Sequence, residues 1–207
     1  MMIEEIYRDS DIMVVNKPEG LLCVPGLSSP DNLFDQVKKR YPNARVVHRL
    51  DMATSGLVLF ALHYEAQKAL SGLFERRRIK KSYQALLQGS LTSVAGEVCM
   101  PIICDWDKRP KQKICWHSGK SALTHFRVES VDAHGEKTRV RLYPITGRTH
   151  QLRIHMQALG YPILGDALYL HEQSEHEFGR LMLHAEQLIF EHPFSGVTLD
   201  LRAPCPF

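Results

Sequence analysis

The apolar run Leu57–Leu62 constrains the fold of this chain more than any other feature of its sequence. An uninterrupted apolar run of this length is typical of a strand that is buried on both faces of a sheet. The period changes directly afterwards, because the apolar residues between Tyr64 and Arg77 recur on one helical face. A strand covered on both sides requires a substantial core, and a chain of 207 residues is long enough to build one.

Strand-like segments outnumber helical ones and follow one another without regular alternation. Apolar runs and apolar–polar alternation predict further strands at Ile12–Val15, Lys81–Gln88, Glu97–Ile103, Ala122–Val131, Thr138–Tyr143, Leu183–Glu191 and Val197–Leu201. Two more helices are predicted, one capped by Asp31 and one at Thr149–Leu159. This order predicts an α+β fold with a mainly antiparallel or mixed sheet flanked by helices and loops, in a single domain of residues 1–207.

Composition and termini favour a cytoplasmic protein. The first residues lack the basic and apolar regions of a secretory signal, and no apolar stretch is long enough to cross a bilayer. The five cysteines are odd in number, scattered, and form no C-x-x-C pair, so neither a disulfide framework nor a structural zinc site is expected. We expect no metal, no membrane partner and, by default, a monomer.

Basic residues are strongly clustered, although the net charge is only +3. Three short segments, Lys38–Arg40, Arg76–Lys81 and Lys108–Lys113, hold 12 of the 26 lysines and arginines. Such clusters can neutralise phosphates, which favours a nucleic-acid partner over a merely solvated face. Trp106 and Trp116 lie near the third cluster and could stack on unpaired bases, although a tryptophan beside a sheet more often packs in the core.

The segment His48–Gly56, with the sequence H-R-L-D-M-A-T-S-G, leads directly into the apolar run. An aspartate at position 51, in a polar turn beside a buried strand, would be held rigidly, and Thr54 and Ser55 could donate hydrogen bonds to it. Gly56 permits a tight turn. Taken alone, an aspartate in such a turn more often accepts backbone hydrogen bonds than performs chemistry.

A second polar segment, Gly147–His155, lies at a junction between a strand and a helix. Arg148 is placed just before the helix N-terminus, where it could pair with a carboxylate or a phosphate. His150 and His155 are five residues apart and do not share a helical face, which argues against a zinc pair. We expect these histidines and Arg153 to lie on a polar face of the helix.

A third segment, Lys80–Leu86, carries a basic run into a strand. Tyr83 alternates with Gln84, so one of the two side chains faces the interior or a cleft. On its own, this tyrosine would more often be a packing residue than a substrate contact.

Together, these motifs resemble the RluA family of pseudouridine synthases. The resemblance extends from Ile6 to Pro204 and rests on four segments in order: Val15–Leu21, His48–Gly56, Lys81–Tyr83 and Gly147–His155. The stretch Ile103–Lys113 further resembles a branch that modifies both large-subunit ribosomal RNA and a tRNA anticodon stem-loop. The N-terminal S4-type RNA-binding domain of several relatives is not expected here, because the chain begins almost at the first family strand.

The resemblance implies an isomerisation without cofactor or metal, in which the uridine base leaves C1′ through N1 and rejoins it through C5. Asp51 is then the catalytic aspartate, and attack at C1′, attack at C6 or removal of the ribose 2′ proton are all open to its carboxylate. The resemblance also implies substrate-binding roles for three residues. Tyr83 would stack on the uracil, Arg148 would pair with Asp51, and Arg49 would enter the space left by an extruded nucleotide.

Other functions fit the sequence less well. A non-catalytic RNA-binding module would need only the basic clusters and leaves the set of Asp51, Tyr83 and Arg148 unexplained. A zinc-dependent nucleobase deaminase would need H-x-E and P-C-x-x-C, and neither pattern is present. A glycoside hydrolase would need a second carboxylate, and none stands out. A relative that acts on RNA stem-loops of only one kind, tRNA or ribosomal, is left open.

Overall fold

The computed structural model describes residues 3–26, 29–170 and 178–207. The chain divides into two compact units, of which unit 1 comprises Met1–Lys81 with His184–Pro206, and unit 2 comprises Ser82–Leu183 with Phe207. The chain therefore leaves unit 1 after Lys81 and returns to it after Leu183. The single domain of residues 1–207 that the sequence suggests stays a prediction.

Strands predominate over helices in the described residues. The strands are β1 (Glu4–Arg8), β2 (Ile12–Lys17), β3 (Arg45–Val46), β4 (Ser55–Ala61), β5 (Lys80–Gln88), β6 (Ala95–Cys99), β7 (Ile102–Cys104), β8 (Gln112–Ile114), β9 (Leu123–Val131), β10 (Lys137–Pro144), β11 (Leu183–Glu191) and β12 (Thr198–Arg202). The α-helices are α1 (Leu33–Arg40), α2 (Tyr64–Glu75) and α3 (Gln151–Ala158). None of them is long and apolar enough to span a membrane.

The sheet of unit 1 is built around β4. Strand β2 pairs antiparallel with β4 from Gly56 to Ala61, and β1 continues the sheet beyond β2. On the other edge, the start of β4 pairs in parallel with β11, and its end pairs antiparallel with β3. Strand β12 lies antiparallel to β11. The mixed sheet expected from the sequence is therefore confirmed.

Burial of β4 on both faces follows from the two helices that cover it. Every residue of β4 is buried. Leu59 and its neighbours on one face pack with Leu70 of α2 in the core of unit 1. Phe60 points to the opposite face, where its ring stacks against Phe34 of α1. The side chains of successive strand residues alternate between faces, so α1 and α2 lie on opposite sides of β4.

Helix α1 begins one residue later than the sequence suggested. Its N-cap is Asn32 rather than Asp31, because the buried Asn32 side chain accepts a hydrogen bond of 2.9 Å from the backbone N–H of Asp35. The helix ends at Arg40, with Tyr41 as its C-cap directly before Pro42. This places the basic residues Lys38–Arg40 in its last turn, where they are exposed.

The sheet of unit 2 is antiparallel, in the order β5, β10, β9 and β6. The strand predicted over Glu97–Ile103 is two strands, because Pro101 lies between them and has no N–H to donate to a ladder. After Pro101 the chain forms β7, which pairs with β8 in a separate two-stranded hairpin. The hairpin shares a small core with Ile154 of α3 and with Tyr169.

Three strands of the structure were not predicted from the sequence. Strand β1 is an edge strand with three exposed charged residues, β3 has only two residues, and β8 lies within a basic cluster. None of the three shows the apolar alternation by which strands are recognised. The other strands and the helices lie within a few residues of the predicted ranges.

Candidate active site

Asp51 lies in a tight turn between β3 and β4 of unit 1. The backbone N–H of Thr54 donates a hydrogen bond of 3.1 Å to the carbonyl oxygen of Asp51 and closes the turn. Leu50 and Thr54, on either side, are buried, whereas Asp51 is half-buried and Arg49 is exposed. The predicted catalytic carboxylate therefore lies on a fixed backbone and keeps access to solvent.

A fully buried lysine holds this turn against the loop after β2. The ammonium group of Lys17, which is 0% exposed, donates hydrogen bonds to the carbonyl oxygens of Pro18, Leu21 and Met52 at 2.8, 2.7 and 2.9 Å. The backbone N–H of Gly20 donates to the same Met52 oxygen at 3.0 Å. Two loops that are far apart in sequence are thereby held together, and one of them carries Asp51.

No role was predicted for Lys17 itself, although it lies in the segment Val15–Leu21 that supports the family resemblance. A lysine followed by proline and, two residues later, glycine marks a turn whose carbonyl groups can point inward. That pattern was the available signal. Only the folded chain shows that the lysine reaches into this turn.

His48 fixes the segment before Asp51 on the edge of β4. Strand β11 pairs with β4 only at Ser55 and Gly56, and β3 pairs with it only at Phe60 and Ala61. Between these stretches, the backbone N–H of Leu59 donates to Nε2 of His48 at 2.8 Å. The imidazole thus provides the acceptor that a neighbouring strand would otherwise supply.

Burial keeps His48 neutral. Desolvation, and to a lesser degree the positive charge of Lys81, lowers the pKa of the imidazole to about 3. The lone pair on Nε2 is therefore available to Leu59 throughout the neutral range. Its ring also packs against Phe74 of α2, with the centroids 4.9 Å apart. In the motif H-R-L-D, the histidine is accordingly a structural residue.

Ser55 and Gly56 fix the C-terminal end of the segment His48–Gly56. The ring of His184 donates from Nε2 to the carbonyl oxygen of Ala203 at 3.1 Å, so its Nδ1 accepts from the Ser55 hydroxyl at 2.8 Å. Gly56 has a φ of +113°, and a Cβ atom there would lie 2.3 Å from the carbonyl oxygen of Ala185. The parallel pairing of β4 with β11 therefore requires glycine at this position.

In unit 2, a single glutamine organises the loop that carries Arg148. The buried Gln151 accepts hydrogen bonds from the Thr146 hydroxyl at 2.7 Å and from the Arg148 N–H at 3.0 Å. Its amide group donates to the carbonyl oxygen of Leu123 at 3.0 Å. The Arg148 side chain is exposed, and its Nε donates to the Ser121 carbonyl at 3.1 Å. Arg148 lies just before α3, as predicted.

His150, Arg153 and His155 are buried rather than on a polar helix face, so that expectation was wrong. Arg153 forms two hydrogen bonds of 2.7 and 2.6 Å with Asp166, and both side chains are almost fully buried. His150, with a left-handed φ of +54°, is hydrogen-bonded through Nδ1 to the Tyr169 hydroxyl at 2.7 Å. The buried carboxylate of Asp166 therefore compensates the charge of Arg153, and the local sequence around Arg153 does not predict this partner.

Tyr83 lies in β5, opposite Leu142 of β10. It is half-buried, whereas Ser82 and Gln84 on either side are buried. The side chain of Gln84 donates to Glu129 of β9 at 2.8 Å. The alternation predicted for Tyr83 and Gln84 is therefore confirmed, and the tyrosine is the more exposed of the two.

Comparison with known proteins decides the family. The family model described as RNA pseudouridylate synthase matches residues 11–158, a range that includes the Asp51 turn, Tyr83 and the Arg148 loop. The chain belongs to the RNA pseudouridylate synthase family. It is accordingly an RNA pseudouridine synthase, an isomerase that forms pseudouridine in RNA.

Similar proteins of this family are known from sequence and from structure. The dual-specificity RNA pseudouridine synthase RluA of Yersinia pestis is 48% identical over 204 residues, which cover 98% of both chains. Its counterpart in Escherichia coli (strain K12) is 47% identical over 204 residues, covering 98% of this chain and 93% of the other. The solved structure of human RNA pseudouridylate synthase domain containing 1 gives a TM-score of 0.85 at 31% identity, covering 100% of this chain and 84% of that chain.

The four site residues predicted for this pseudouridine synthase divide between the units. Arg49 and Asp51 belong to unit 1, and Tyr83 and Arg148 belong to unit 2. Within unit 1, Arg49 and Asp51 lie two residues apart at the same turn. Within unit 2, Tyr83 lies in β5 and Arg148 lies in the loop before α3. The pairing of Asp51 with Arg148 stays a prediction.

Another titratable cluster in unit 1 of this synthase has the residue types of a metal site. Among the described residues, Asp9, Asp11 and His192 place ligand atoms within 4.8 Å of one another. However, Nδ1 of His192 accepts from the backbone N–H groups of Phe194 and Ser195 at 3.3 and 3.1 Å. In a neutral imidazole, Nε2 then carries the proton and faces Asp9 at 3.1 Å. This arrangement suits a carboxylate–imidazole contact rather than metal coordination.

Proposed function

We propose that this protein converts specific uridines to pseudouridines in structured RNA, namely large-subunit ribosomal RNA and a tRNA anticodon stem-loop, with Asp51 as the catalytic residue. The observation that carries the catalytic assignment is the rigid support of the Asp51 turn by the buried Lys17. A carboxylate that acts at one atom of its substrate benefits from a backbone that cannot move away from it.

The substrate range is supported by two observations. The relatives from Yersinia pestis and Escherichia coli, both called dual-specificity RNA pseudouridine synthases, align over nearly their whole length. In addition, the exposed basic segments Lys38–Arg40 and Arg76–Arg78 supply positive charge for phosphate contacts. A stem-loop suits such a protein, because its unpaired nucleotides leave the stack at a low cost.

The reaction is an isomerisation with balanced atoms and electrons. The bond between N1 and C1′ breaks, a bond between C5 and C1′ forms, the proton on C5 leaves, and a proton is taken up at N1. The Asp51 carboxylate can start this sequence by attack at C1′, by attack at C6 or by removal of the ribose 2′ proton. Each of the three requires that it be ionised and close to the nucleoside.

The other predicted residues bind the nucleotide. Arg148 pairs with Asp51 and directs its carboxylate, and Tyr83 stacks on the uracil. A stacked base hides C1′ and C6, so the target nucleotide is extruded at a cost of a few kcal/mol. Arg49 is exposed beside the Asp51 turn and enters the space that the nucleotide leaves.

Tritium release from RNA labelled at C5 of uridine tests the proposal. Asp51→Asn is expected to release no tritium from either RNA while retaining its folding and RNA affinity. Asp31→Asn, which changes an exposed carboxylate at the start of α1, is the matched control and should react like the wild type. Substantial turnover by the Asp51 variant would reject the catalytic assignment, and reaction with only one of the two RNAs would reject dual specificity.

A further inference from the structure

The hairpin formed by β7 and β8 presents an exposed indole in basic surroundings. Trp106 lies in the turn between the two strands and is 67% exposed, and Trp116, just after β8, is 74% exposed. The expectation that tryptophans beside a sheet pack in the core is therefore wrong for both. Exposed aromatic side chains beside positive charge are the groups on which proteins that bind single-stranded nucleic acid stack unpaired bases.

The hairpin is held to the rest of unit 2 by backbone hydrogen bonds and by apolar packing. Its backbone forms hydrogen bonds between Ile102 and Lys120 in both directions, at 3.0 and 2.9 Å. The Gln112 N–H donates to the Tyr169 hydroxyl at 2.7 Å, and Ile102 packs with Ile154 in a buried cluster. The turn that carries Trp106 therefore has a fixed base, as a stacking platform requires.

The cations around Trp106 are available for a partner. The guanidinium carbon of Arg109 lies 4.9 Å from the centre of the Trp106 ring. Within the described ranges, Lys108, Arg109 and Lys111 have no carboxylate at ion-pair distance, whereas Lys113 pairs with Asp105 at 3.0 Å. Lys108, Lys111 and Lys113 line a cleft of about 250 Å³ that the hairpin shares with Gln157 of α3.

We infer that this hairpin is an RNA contact outside the catalytic turn, where Trp106 stacks on an unpaired base and Lys108 and Lys111 bind the phosphates beside it. The inference rests on the proposed function and specifies how the substrate is held. Base stacking explains the exposed indole, and phosphate binding explains the unpaired lysines. An acidic protein would satisfy the lysines but would leave the indole without a partner.

Fluorescence can isolate Trp106, because the chain has only two tryptophans. In Trp116→Phe, Trp106 is the remaining reporter, and its emission should be quenched by an RNA stem-loop with a uridine-containing loop. In Trp106→Phe, the emission of Trp116 should change much less. Equal quenching in both variants, or none in the first, would overturn the stacking role. A fully paired duplex is expected to quench Trp106 less than the stem-loop.

Binding and kinetics test the same surface. Trp106→Ala should weaken stem-loop binding about tenfold and raise KM with little change in kcat. Lys108→Ala with Lys111→Ala should reduce the slope of log affinity against log salt by about 0.7–0.9 for each lysine. Phe194→Ala is the control, since this aromatic is also exposed but lies beside His192 and His63 in an acidic cluster; it should bind RNA like the wild type.

The outcomes separate this inference from the proposed function. If the wild type forms pseudouridine and Trp106→Ala binds and reacts like it, the hairpin inference fails and the function stands. If the wild type forms no pseudouridine but binds the stem-loop through Trp106, the catalytic proposal fails and the hairpin contact stands. Tighter binding of an acidic polypeptide than of the stem-loop would also overturn the inference.

Discussion

The ammonium group of Lys17 lies 2.9 Å from the carbonyl oxygen of Met52, 35 residues away in the chain. Met52 directly follows Asp51, so the hydrogen bond fixes the backbone that carries the catalytic candidate. Two further carbonyl groups share the same ammonium group. The turn is therefore held by a buried charge and not only by its own short hydrogen bond.

Lys17→Met should lower both stability and activity. The methionine fills a similar space but removes the ammonium donor from the carbonyl oxygens of Pro18, Leu21 and Met52, of which only the Met52 oxygen keeps a second donor, the N–H of Gly20. The free energy of unfolding is therefore expected to fall by about 3 kcal/mol. Urea denaturation measures this loss. Lys39→Met, at an exposed position of α1, is the control and should change stability by less than about 0.5 kcal/mol. Equal stability of the two variants would contradict the role of Lys17.

Gly56→Ala is expected to be strongly destabilising. The added Cβ would collide with the backbone of Ala185, and the positive φ is unfavourable for alanine, so a loss above about 2 kcal/mol is expected. Gly196→Ala separates the two effects. Gly196 also has a positive φ, of +71°, but no atom lies within 4 Å of its Cβ position. Thermal unfolding should show a clearly smaller loss for Gly196→Ala, and similar losses would exclude the collision.

His48→Gln should change how stability depends on pH. The unfolded imidazole binds a proton near pH 6.5 and the folded one only near pH 3, so acid favours the unfolded chain between these values. This residue contributes up to about 1.4 kcal/mol per pH unit in that window. Glutamine retains an acceptor for Leu59 but does not titrate.

Denaturation from pH 7 to pH 4 checks this prediction by comparing wild type with variant. The pKa of His63, raised mainly by its hydrogen bond to Asp11, gives the opposite trend, a stability that is lost as the pH rises. Both proteins share that contribution, so it cancels in the difference. A pH-independent difference between them would show that His48 is not kept neutral by the fold.

Tyr83→Phe should retain RNA binding and lose part or most of the rate. Phenylalanine keeps the aromatic ring for stacking and removes only the hydroxyl group. Single-turnover tritium release and a binding titration separate the two effects. Tyr143→Phe, on the neighbouring strand β10, is the control for loss of a tyrosine hydroxyl. A wild-type rate for the Tyr83 variant would leave its hydroxyl without a chemical role.

Local sequence predicted the secondary-structure elements better than it predicted which polar side chains are buried. The burial of β4 follows from its continuous apolar run, and α2 follows from its period, because both patterns report only which side of an element meets the core. Arg153 shows the limit of such reasoning. Its position on a helix suggested solvent, but Asp166 lies 13 residues further on and makes burial of the charge acceptable.

The order of the motifs by itself was sufficient to place this chain among the pseudouridine synthases, since motif recognition needs only residue types and spacing. It also predicted Asp51, Arg49, Tyr83 and Arg148 as site residues, which stays a prediction. The tertiary structure alone decided what supports them. The contacts of Lys17 with Met52, His48 with Leu59 and Gly56 with Ala185 arise from strand register and loop closure, in which residues distant along the chain meet only once the core has formed.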